Sequence, residues 1–547
     1  KIGIQLMPSR WNSSNNFQPQ LKSSRGINQA GACSVQCRRS GWPPFRKVNG
    51  KTCIDCIVGK KGSHSHGNQV RDREDVRPEP RFPSWLIAEG SAPDGCCIPE
   101  FDRHEASEEV LGLLANSRPF VWRCQANVCA GSEALMQKGS FQHLIAQCKL
   151  DTNVSRRADK KFVFYKPARL QSSIYEPTAV MDHFAPLQEN AQWTYAEVTE
   201  RLAKISSKDR AGQKMCSGSR TNGGPPCGWG RSDLVDEGCE MPYIFQIVLE
   251  TISEEEVSKV TQMHQSLQPP MARLPGLAGS PVALWRPNIT PLARHFVERV
   301  DWSLIGLLAK GGAWGPFTTA GFMVSGRNAL TPLHYDKHHN IFIQLKGAKR
   351  FLLLEPTQTT RLYGFPASHA LDPLSRVDLE LPQARLEKRW PLVADARGVS
   401  VTLEAGDALV LPQGVWHHVQ SLDEENISMN LLFELGDGEA CGSLGDDVRV
   451  AKLPEARWAA ALSELAKTAE GFVSSVLADP VRTPDCLCAA HAMASDVGAE
   501  TVGKQPDESC KWKLEIEELH RYLNERLSDG AGGAPIMKAS EFIGKFF

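Results

Sequence analysis

A short run of metal-ligand residues, matched by one distant histidine, constrains the fold of this chain more than any other feature. His334 and Asp336 stand two residues apart, and His417 lies near the end of an apolar run that begins at Leu411. Two imidazoles and one carboxylate form a facial triad, which can hold Fe(II) and leave coordination positions open. Since residues i and i+2 of a strand share a face, the first pair predicts one strand. His417 then predicts a second strand folded beside it, as a closed barrel would provide.

The sequence around these residues has the pattern of a β-rich block. Residues 340–356 form two apolar, β-prone runs joined by a Lys-Gly turn, which predicts a hairpin with Lys349 at the start of its second strand. Residues 399–412 alternate, turn at a Gly-Asp pair and become fully apolar, and residues 427–433 complete the block. Short strands between Gly/Pro turns are typical of a jelly roll. We therefore predict an α+β protein whose core is a double-stranded β-helix, a jelly roll of the cupin type, over residues 317–435.

Several stretches of the chain carry motifs of one enzyme family. They are Trp314-Gly-Pro-Phe-Thr-Thr, Thr331-Pro-Leu-His-Tyr-Asp, the hairpin with Lys349, Arg361-Leu-Tyr-Gly-Phe-Pro, and Pro412 to Leu422. With these motifs the sequence resembles the JmjC family of Fe(II)- and 2-oxoglutarate-dependent dioxygenases. Within that family it is most similar to the asparaginyl hydroxylases that modify hypoxia-inducible factor and ankyrin repeats. The resemblance runs from about Ile98 to Glu434 and implies an enzyme that oxidises a C–H bond with iron, 2-oxoglutarate and O₂.

The resemblance also implies roles for individual residues. The iron ligands would be His334, Asp336 and His417, the last preferred to His418 because the family's ligand directly follows an aromatic residue, here Trp416. Five further positions match the family's 2-oxoglutarate site. An ammonium with two hydroxyls suits the far carboxylate of the cosubstrate, because charge-assisted hydrogen bonds are strong, and two amides would lie nearer the metal. These cosubstrate residues are Lys349, Thr331, Tyr243, Asn340 and Asn430.

The chain departs from the asparaginyl hydroxylases where they bind the target amide. Those enzymes have an Arg-Gln pair in a loop that aligns with residues 372–378, where this chain has Pro373 and Leu374. Neither side chain can donate or accept a hydrogen bond. The aromatic residue expected after Asn430 is replaced by Leu432. We therefore expect a hydroxylase whose target residue is not asparagine.

Composition divides the remainder of the chain. The N-terminal region is rich in Ser, Asn, Gly, Pro and Arg and has 14 Lys/Arg against 5 Asp/Glu through Pro80, a composition that cannot bury a core. Apolar residues at helical spacing follow the barrel from Arg449 onward. The predicted divisions are a disordered basic arm over 1–95, an α/β part over 96–316 with an inserted loop over 206–240, the barrel over 317–435, C-terminal helices over 449–494 and a tail over 495–547.

Four cysteines of the N-terminal arm have a spacing close to that of a zinc ribbon: Cys33, Cys37, Cys53 and Cys56. Unpaired cysteines in a flexible arm are the favoured interpretation, because few apolar residues surround them. The 16 cysteines of the chain are scattered, and iron(II) chemistry favours a reducing compartment. We therefore expect mostly free thiols and an intracellular location, cytoplasmic or nuclear.

Charge and hydropathy limit the partners. The formal net charge is -1, so the whole chain has no basic footprint for nucleic acid, and no apolar run has the length of a membrane span. The expected partner is a protein substrate, with a homodimer through the C-terminal helices as a further hypothesis. Two alternatives stay open: a JmjC enzyme acting on methyl-lysine or a tRNA base, and a non-catalytic cupin scaffold. Turnover of 2-oxoglutarate separates the enzymes from the scaffold.

Overall fold

A computed structural model describes most of the chain between residues 77 and 546. The described residues are 77–88, 98–101, 107–123, 140–146, 148–156, 159–163, 188–216, 240–263, 271–312, 314–365, 371–434, 449–452, 458, 461–462, 464–469, 519–528 and 535–546. The four cysteines with zinc-ribbon spacing, Cys33, Cys37, Cys53 and Cys56, lie outside them. Among the described residues, no helix has the length and apolarity needed to cross a bilayer.

Among the described residues, seven strands and six helices precede the barrel. The strands are β1 Glu100–Phe101, β2 Phe120–Trp122, β3 Lys149–Ser155, β4 Gln188–Thr194, β5 Met241–Ile252, β6 Met271–Arg273 and β7 Val282–Leu284. The helices are α1 Glu108–Ala115, α2 Ser140–Ala146, α3 Tyr195–Cys216, α4 Glu254–Met263, α5 Thr290–Arg299 and α6 Trp302–Gly311. Because α3 continues to Cys216, the predicted loop over 206–240 begins too early. Its first part includes Lys208, Ala211, Gln213, Lys214 and Met215, residue types with high helix propensity.

In the part of the chain that the structure describes, eight further strands form the barrel. They are β8 Phe317–Ser325, β9 Leu330–Tyr335, β10 His339–Lys346, β11 Lys349–Leu354, β12 Val399–Leu403, β13 Ala408–Leu411, β14 Trp416–Ser421 and β15 Asn426–Phe433. Helix α7 Gln383–Arg389 lies in the long connection between β11 and β12. Short 3₁₀ helices are Ser84–Leu86, Pro287–Ile289, Pro356–Leu362, Pro391–Asp395 and Val450–Lys452.

The barrel strands divide between two facing sheets. One sheet contains β13-β10-β15-β8 and is extended by β5, β3 and β4 on one side and by β2 and β1 on the other. The facing sheet has the order β12-β11-β14-β9. This is the strand order of a jelly roll, and with the flanking helices it confirms the predicted α+β double-stranded β-helix. Side chains of both inner faces share one apolar core, which includes Phe342, Phe351 and Val419.

Glycine closes the hairpin between β10 and β11. Gly347 has a φ of +68°, and a Cβ there would lie 2.6 Å from the carbonyl oxygen of Glu425. Only glycine adopts such a conformation without steric cost. The turn therefore fixes where β11 begins, and with it the position of Lys349 on the inner face of the barrel.

The chain after the barrel forms a second, smaller apolar core. Helical residues 461–462 and 464–469 contribute Leu465 and Ala469, residues 519–527 contribute Leu523, and α8 (Ala539–Phe546) contributes Phe542. The predicted tail over 495–547 is thus corrected for its described parts, because Leu519, Leu523 and Leu527 recur on one helix face and are buried. A homodimer through these helices stays a prediction.

Candidate metal centre

Two neighbouring strands bring the three predicted ligands together. His334 of β9 is the register partner of His417 of β14, and their ring centroids lie 4.0 Å apart. Asp336 directly follows β9, with its Oδ2 3.9 Å from Nε2 of His417. One ligand atom from each of the three residues lies within 4.8 Å of the others. That spacing is small enough for a single metal ion to contact all three.

Backbone and side-chain hydrogen bonds orient the ligands. Nδ1 of His334 donates to the carbonyl of Pro332 at 2.8 Å, and Nδ1 of His417 donates to the carbonyl of Val415 at 3.0 Å. A carbonyl only accepts, so each Nδ1 carries the proton and each Nε2 presents a lone pair. Nδ2 of Asn340 donates to Oδ2 of Asp336 at 2.8 Å. Such outer hydrogen bonds are typical of metal sites, where they fix ring orientation.

The protonation states also suit a cation. Burial, with the neighbouring His417, lowers the pKa of His334 to about 4, so its imidazole is neutral near pH 7. Burial alone would raise the pKa of Asp336, yet His417 and His334 and the hydrogen bond from Asn340 bring it below its ordinary value. A neutral imidazole and an ionised carboxylate are the forms that bind metal.

A β-bulge places a further polar residue on the face of the triad. Register partners are His334 with His417 and Thr331 with Val419, so β9 has one more residue than β14 between these pairs. The extra length contains Pro332, and β9 is the edge strand of its sheet, where a missing N–H is tolerated. Because His417 and Val419 share a face, Thr331 and His334 also share it.

Lys349 is a buried cation on the same inner face. It is the first residue of β11. Leu353, four residues further along this strand, is the register partner of His417, so Lys349 and His417 lie on the same face of the sheet. Its side chain is almost fully buried, and its Nζ donates to Oγ of Ser428 at 2.9 Å. The ammonium lies 5.2 Å from the Phe342 ring centroid. Burial lowers its pKa to about 7, and no ion pair to a described acidic side chain offsets this cost.

Of the other predicted cosubstrate residues, Tyr243 lies near this ammonium. The Tyr243 ring centroid lies 5.9 Å from Nζ of Lys349, and Tyr243 is hydrogen-bonded to Thr331. Burial raises the pKa of the Tyr243 hydroxyl to about 12. Asn340 and Asn430 each hold a buried amide oxygen with no hydrogen-bond partner in the described structure. Unpartnered buried acceptors are costly, so the pocket carries polar groups suited to a bound polar molecule or water.

The loop that departs from the asparaginyl hydroxylases lies beside His334. Leu374 forms an isolated antiparallel bridge with His334, and the amide of Ser375 donates to the carbonyl of Leu333 at 2.8 Å. Bridge partners face the same side, so Leu374 is on the side of the triad. Leu432 is the register partner of Asn340 on β15. Two leucines therefore lie near the ligands. At these positions the resemblance to the asparaginyl hydroxylases predicts a hydrogen-bonding residue and an aromatic residue.

The remaining histidines near the motif are placed elsewhere. His418 follows His417 on β14, faces the opposite side of the sheet, and packs edge-on against Phe82 with ring centroids 5.7 Å apart. His339 stacks on Trp314 with ring centroids 4.7 Å apart. The triad that the spacing predicts therefore contains His417 and excludes its neighbour.

Comparisons with known proteins place this centre within a recognised domain. The family model described as a cupin-like domain matches residues 263–437. Similar proteins include JmjC domain-containing protein D of Dictyostelium discoideum, 34% identical over 18% of this chain and 21% of that protein. HSPB1-associated protein 1 of Homo sapiens is 30% identical over 25% of this chain and 27% of that protein. Lysine-specific demethylase JMJ31 of Arabidopsis thaliana is 30% identical over 21% of this chain and 20% of that protein.

The matched residues comprise the barrel and the segment that precedes it. Residues 263–437 carry a cupin-like domain with JmjC-containing relatives. The matches span only about a fifth to a quarter of each relative's own length. These relatives give no specific support to the predicted closeness to asparaginyl hydroxylases.

Proposed function

We propose that this chain is an Fe(II)- and 2-oxoglutarate-dependent dioxygenase that hydroxylates a side chain of a protein substrate. The observation that carries the proposal is the presence of the triad and the buried Lys349 on one inner face of the barrel. A buried ammonium without a counter-ion is costly. A dicarboxylate that reaches from the metal to Lys349 would provide that counter-ion.

The residues take complementary roles in this proposal. His334, Asp336 and His417 would hold the iron, which, when bound with O₂ and 2-oxoglutarate, supplies the power to oxidise an unactivated C–H bond. Lys349 would bind the far carboxylate of the cosubstrate, with the hydroxyls of Thr331 and Tyr243 as additional donors. The amides of Asn340 and Asn430 would steady the end nearer the metal. The apolar walls of the barrel exclude water from these charged contacts.

Two leucines support a target other than asparagine. A substrate amide beside Leu374 and Leu432 would lose hydrogen bonds to water without replacement from these side chains. That loss costs about 1–3 kcal/mol, which is enough to remove a preference for asparagine. An apolar or aliphatic target side chain would carry no such penalty at these two positions.

A demethylase is the second candidate, because one similar protein is named a lysine-specific demethylase. Oxidation of an N-methyl group uses the same iron chemistry and releases formaldehyde. A tRNA base is less favoured, since the net charge of the chain is -1 and its basic residues are concentrated only in the N-terminal arm, whereas nucleic acid binding uses clustered positive charge. A non-catalytic scaffold would leave 2-oxoglutarate unchanged.

Peptide oxidation tests the proposal directly. Purified protein is incubated with Fe(II), 2-oxoglutarate, O₂ and peptides captured from a cell extract, and the products are examined by mass spectrometry. The expected result is a gain of one oxygen on a peptide, matched by succinate. Release of formaldehyde with loss of a methyl group would favour demethylation. Efficient hydroxylation of asparagine in an ankyrin repeat would contradict the proposed specificity.

The affinity for 2-oxoglutarate is expected to fall as the pH rises above 7. The pKa of Lys349 in the free protein is about 7, and the dianion binds the protonated form. Below that pH the ammonium is already charged, whereas above it binding must take up a proton. The apparent KM should then rise by roughly tenfold per pH unit well above pH 7. Arginine remains charged throughout, so Lys349→Arg should flatten the profile, and an unchanged slope in that variant would contradict the assignment.

A further inference from the structure

A buried polar cluster lies on the opposite side of the ligand strand from the triad. Tyr335 stands between His334 and Asp336, and its ring packs against Trp416 with centroids 4.9 Å apart. The Tyr335 hydroxyl accepts a hydrogen bond from Nζ of Lys467 at 2.6 Å and donates to the carboxylate of Glu464. The residue between two ligands is thus held by the helical segment 464–469, which follows the barrel.

Two lysines converge on one carboxylate in this cluster. Asp372 forms ion pairs with Lys467 and, at 2.8 Å, with Lys337, which directly follows the ligand Asp336. The side chains of Asp372 and Lys467 are 0% and 2% exposed. With Glu464 the cluster contains two cations and two anions. Its charges are therefore balanced inside the protein rather than by solvent.

Such a cluster fixes geometry more than it adds stability. Removing charges from water offsets most of their mutual attraction, and apolar replacements of buried ion pairs are often equally stable. The cluster joins residues that lie next to two ligands. Tyr335 and Lys337 are the residues on either side of Asp336, and Asp372 lies two residues before Leu374, which is the bridge partner of His334. The backbone amide of Gly414 also donates to the carbonyl of Asp336 at 3.0 Å. Displacement of the helical segment would therefore be transmitted to two of the three ligands.

We infer that Tyr335, Asp372 and Lys467 are positioning residues for the metal centre, and that the helical segment 464–469 is a supporting element of that centre. The inference rests on the proposed metal site. It assigns a function to a region beyond the matched domain, which ends at residue 437. Groups that support metal ligands typically change metal affinity or activity by about 10- to 100-fold when altered.

Metal affinity of the Lys467→Met variant tests the inference without relying on turnover. Co(II) is titrated into the full chain, and binding is followed by visible absorption and by competition with a chelator. Lys467→Met keeps the length of the side chain but leaves Asp372 and Tyr335 without its ammonium. The expected result is Co(II) binding at least about tenfold weaker than in the wild type, with an altered absorption spectrum.

A second buried lysine provides the matched control. Lys161 is also almost fully buried and pairs with Asp378 at 2.9 Å and Glu380 at 2.7 Å. It borders the opposite end of β9, as the bridge partner of Leu330. Lys161→Met should lower the thermal stability but leave Co(II) affinity and spectrum unchanged. Equal losses of Co(II) affinity in the two variants would mean that the cluster only stabilises the fold in general. That result would overturn the inference.

Tyr335→Phe addresses the case in which Lys467→Met does not fold. It removes one oxygen and keeps the ring on Trp416, so we expect a folded protein with a shifted Co(II) spectrum and weaker binding. Wild-type affinity and spectrum in the folded variants would overturn the inference. Failure of the wild-type chain itself to bind Co(II) would instead overturn the proposed function, and the inference with it.

Discussion

Replacement of His417 by alanine is expected to abolish iron binding and the conversion of 2-oxoglutarate to succinate. His417 supplies one of three ligand atoms that lie within 4.8 Å of one another, and the remaining His334 and Asp336 leave the ion held by only two groups. Loss of a direct ligand should exceed the 10- to 100-fold effect of outer-shell changes. We expect succinate formation to fall by more than about a hundredfold, measured with iron content on the same samples.

The adjacent histidine is the matched control for this prediction. His418 lies on the same strand but faces the opposite side, against Phe82. Burial lowers its pKa to about 3, so it is neutral and acts in packing. His418→Ala removes the same atoms and should reduce stability while iron stoichiometry is retained. Retention of iron by His417→Ala together with its loss from His418→Ala would reverse the ligand assignment.

Replacement of Lys349 by methionine is expected to have the second largest effect. The variant keeps an apolar chain of similar length in a fully buried site, but a bound dianion would then have one carboxylate without its cation. Leaving one member of a buried charge pair alone costs about 3–5 kcal/mol, which corresponds to roughly a hundredfold to several-thousandfold in affinity. The KM for 2-oxoglutarate should rise by that amount, while Fe(II) affinity measured without cosubstrate stays at the wild-type value.

Lys346 supplies the control on the same hairpin. It ends β10, is 39% exposed and pairs with Glu425 at 2.6 Å, an interaction worth about 0–1 kcal/mol at a surface. Lys346→Met removes an equal charge three residues from Lys349 but outside the barrel. Its KM should match the wild type. An unchanged KM in Lys349→Met, or an equal rise in both variants, would contradict the proposed cosubstrate site.

Local periodicity was sufficient to predict the strands of the barrel and the first two residues of its triad. Strands alternate faces with a period of two, so His334 and Asp336 could be assigned to one strand from their spacing. The hairpin before Lys349 followed from a glycine that has a positive φ in the structure. These features depend on residues close in sequence. Rules based on short stretches of sequence could therefore predict them, and the family resemblance added the cosubstrate residues.

Longer-range features were not accessible in the same way. The bulge at Pro332 changes which residues of β9 share a face, and only the strand pairing reveals it. The pairing of Asp372 with Lys467 joins segments far apart in the chain, and no local pattern marks either residue as buried. Burial of Leu523 against residues 461–462 and 464–469 likewise depends on tertiary packing. Tertiary contacts, rather than propensity, decided these positions.

Binding of 2-oxoglutarate with and without metal is the most direct test of the central claim. Anaerobic equilibrium dialysis against radiolabelled 2-oxoglutarate measures the cosubstrate retained by the wild-type chain, with Fe(II) present or removed by a chelator. If the triad and Lys349 form one site, the chain should retain one molecule with Fe(II) and far less without it. No retention with Fe(II), or equal retention after the metal is removed, would contradict the account.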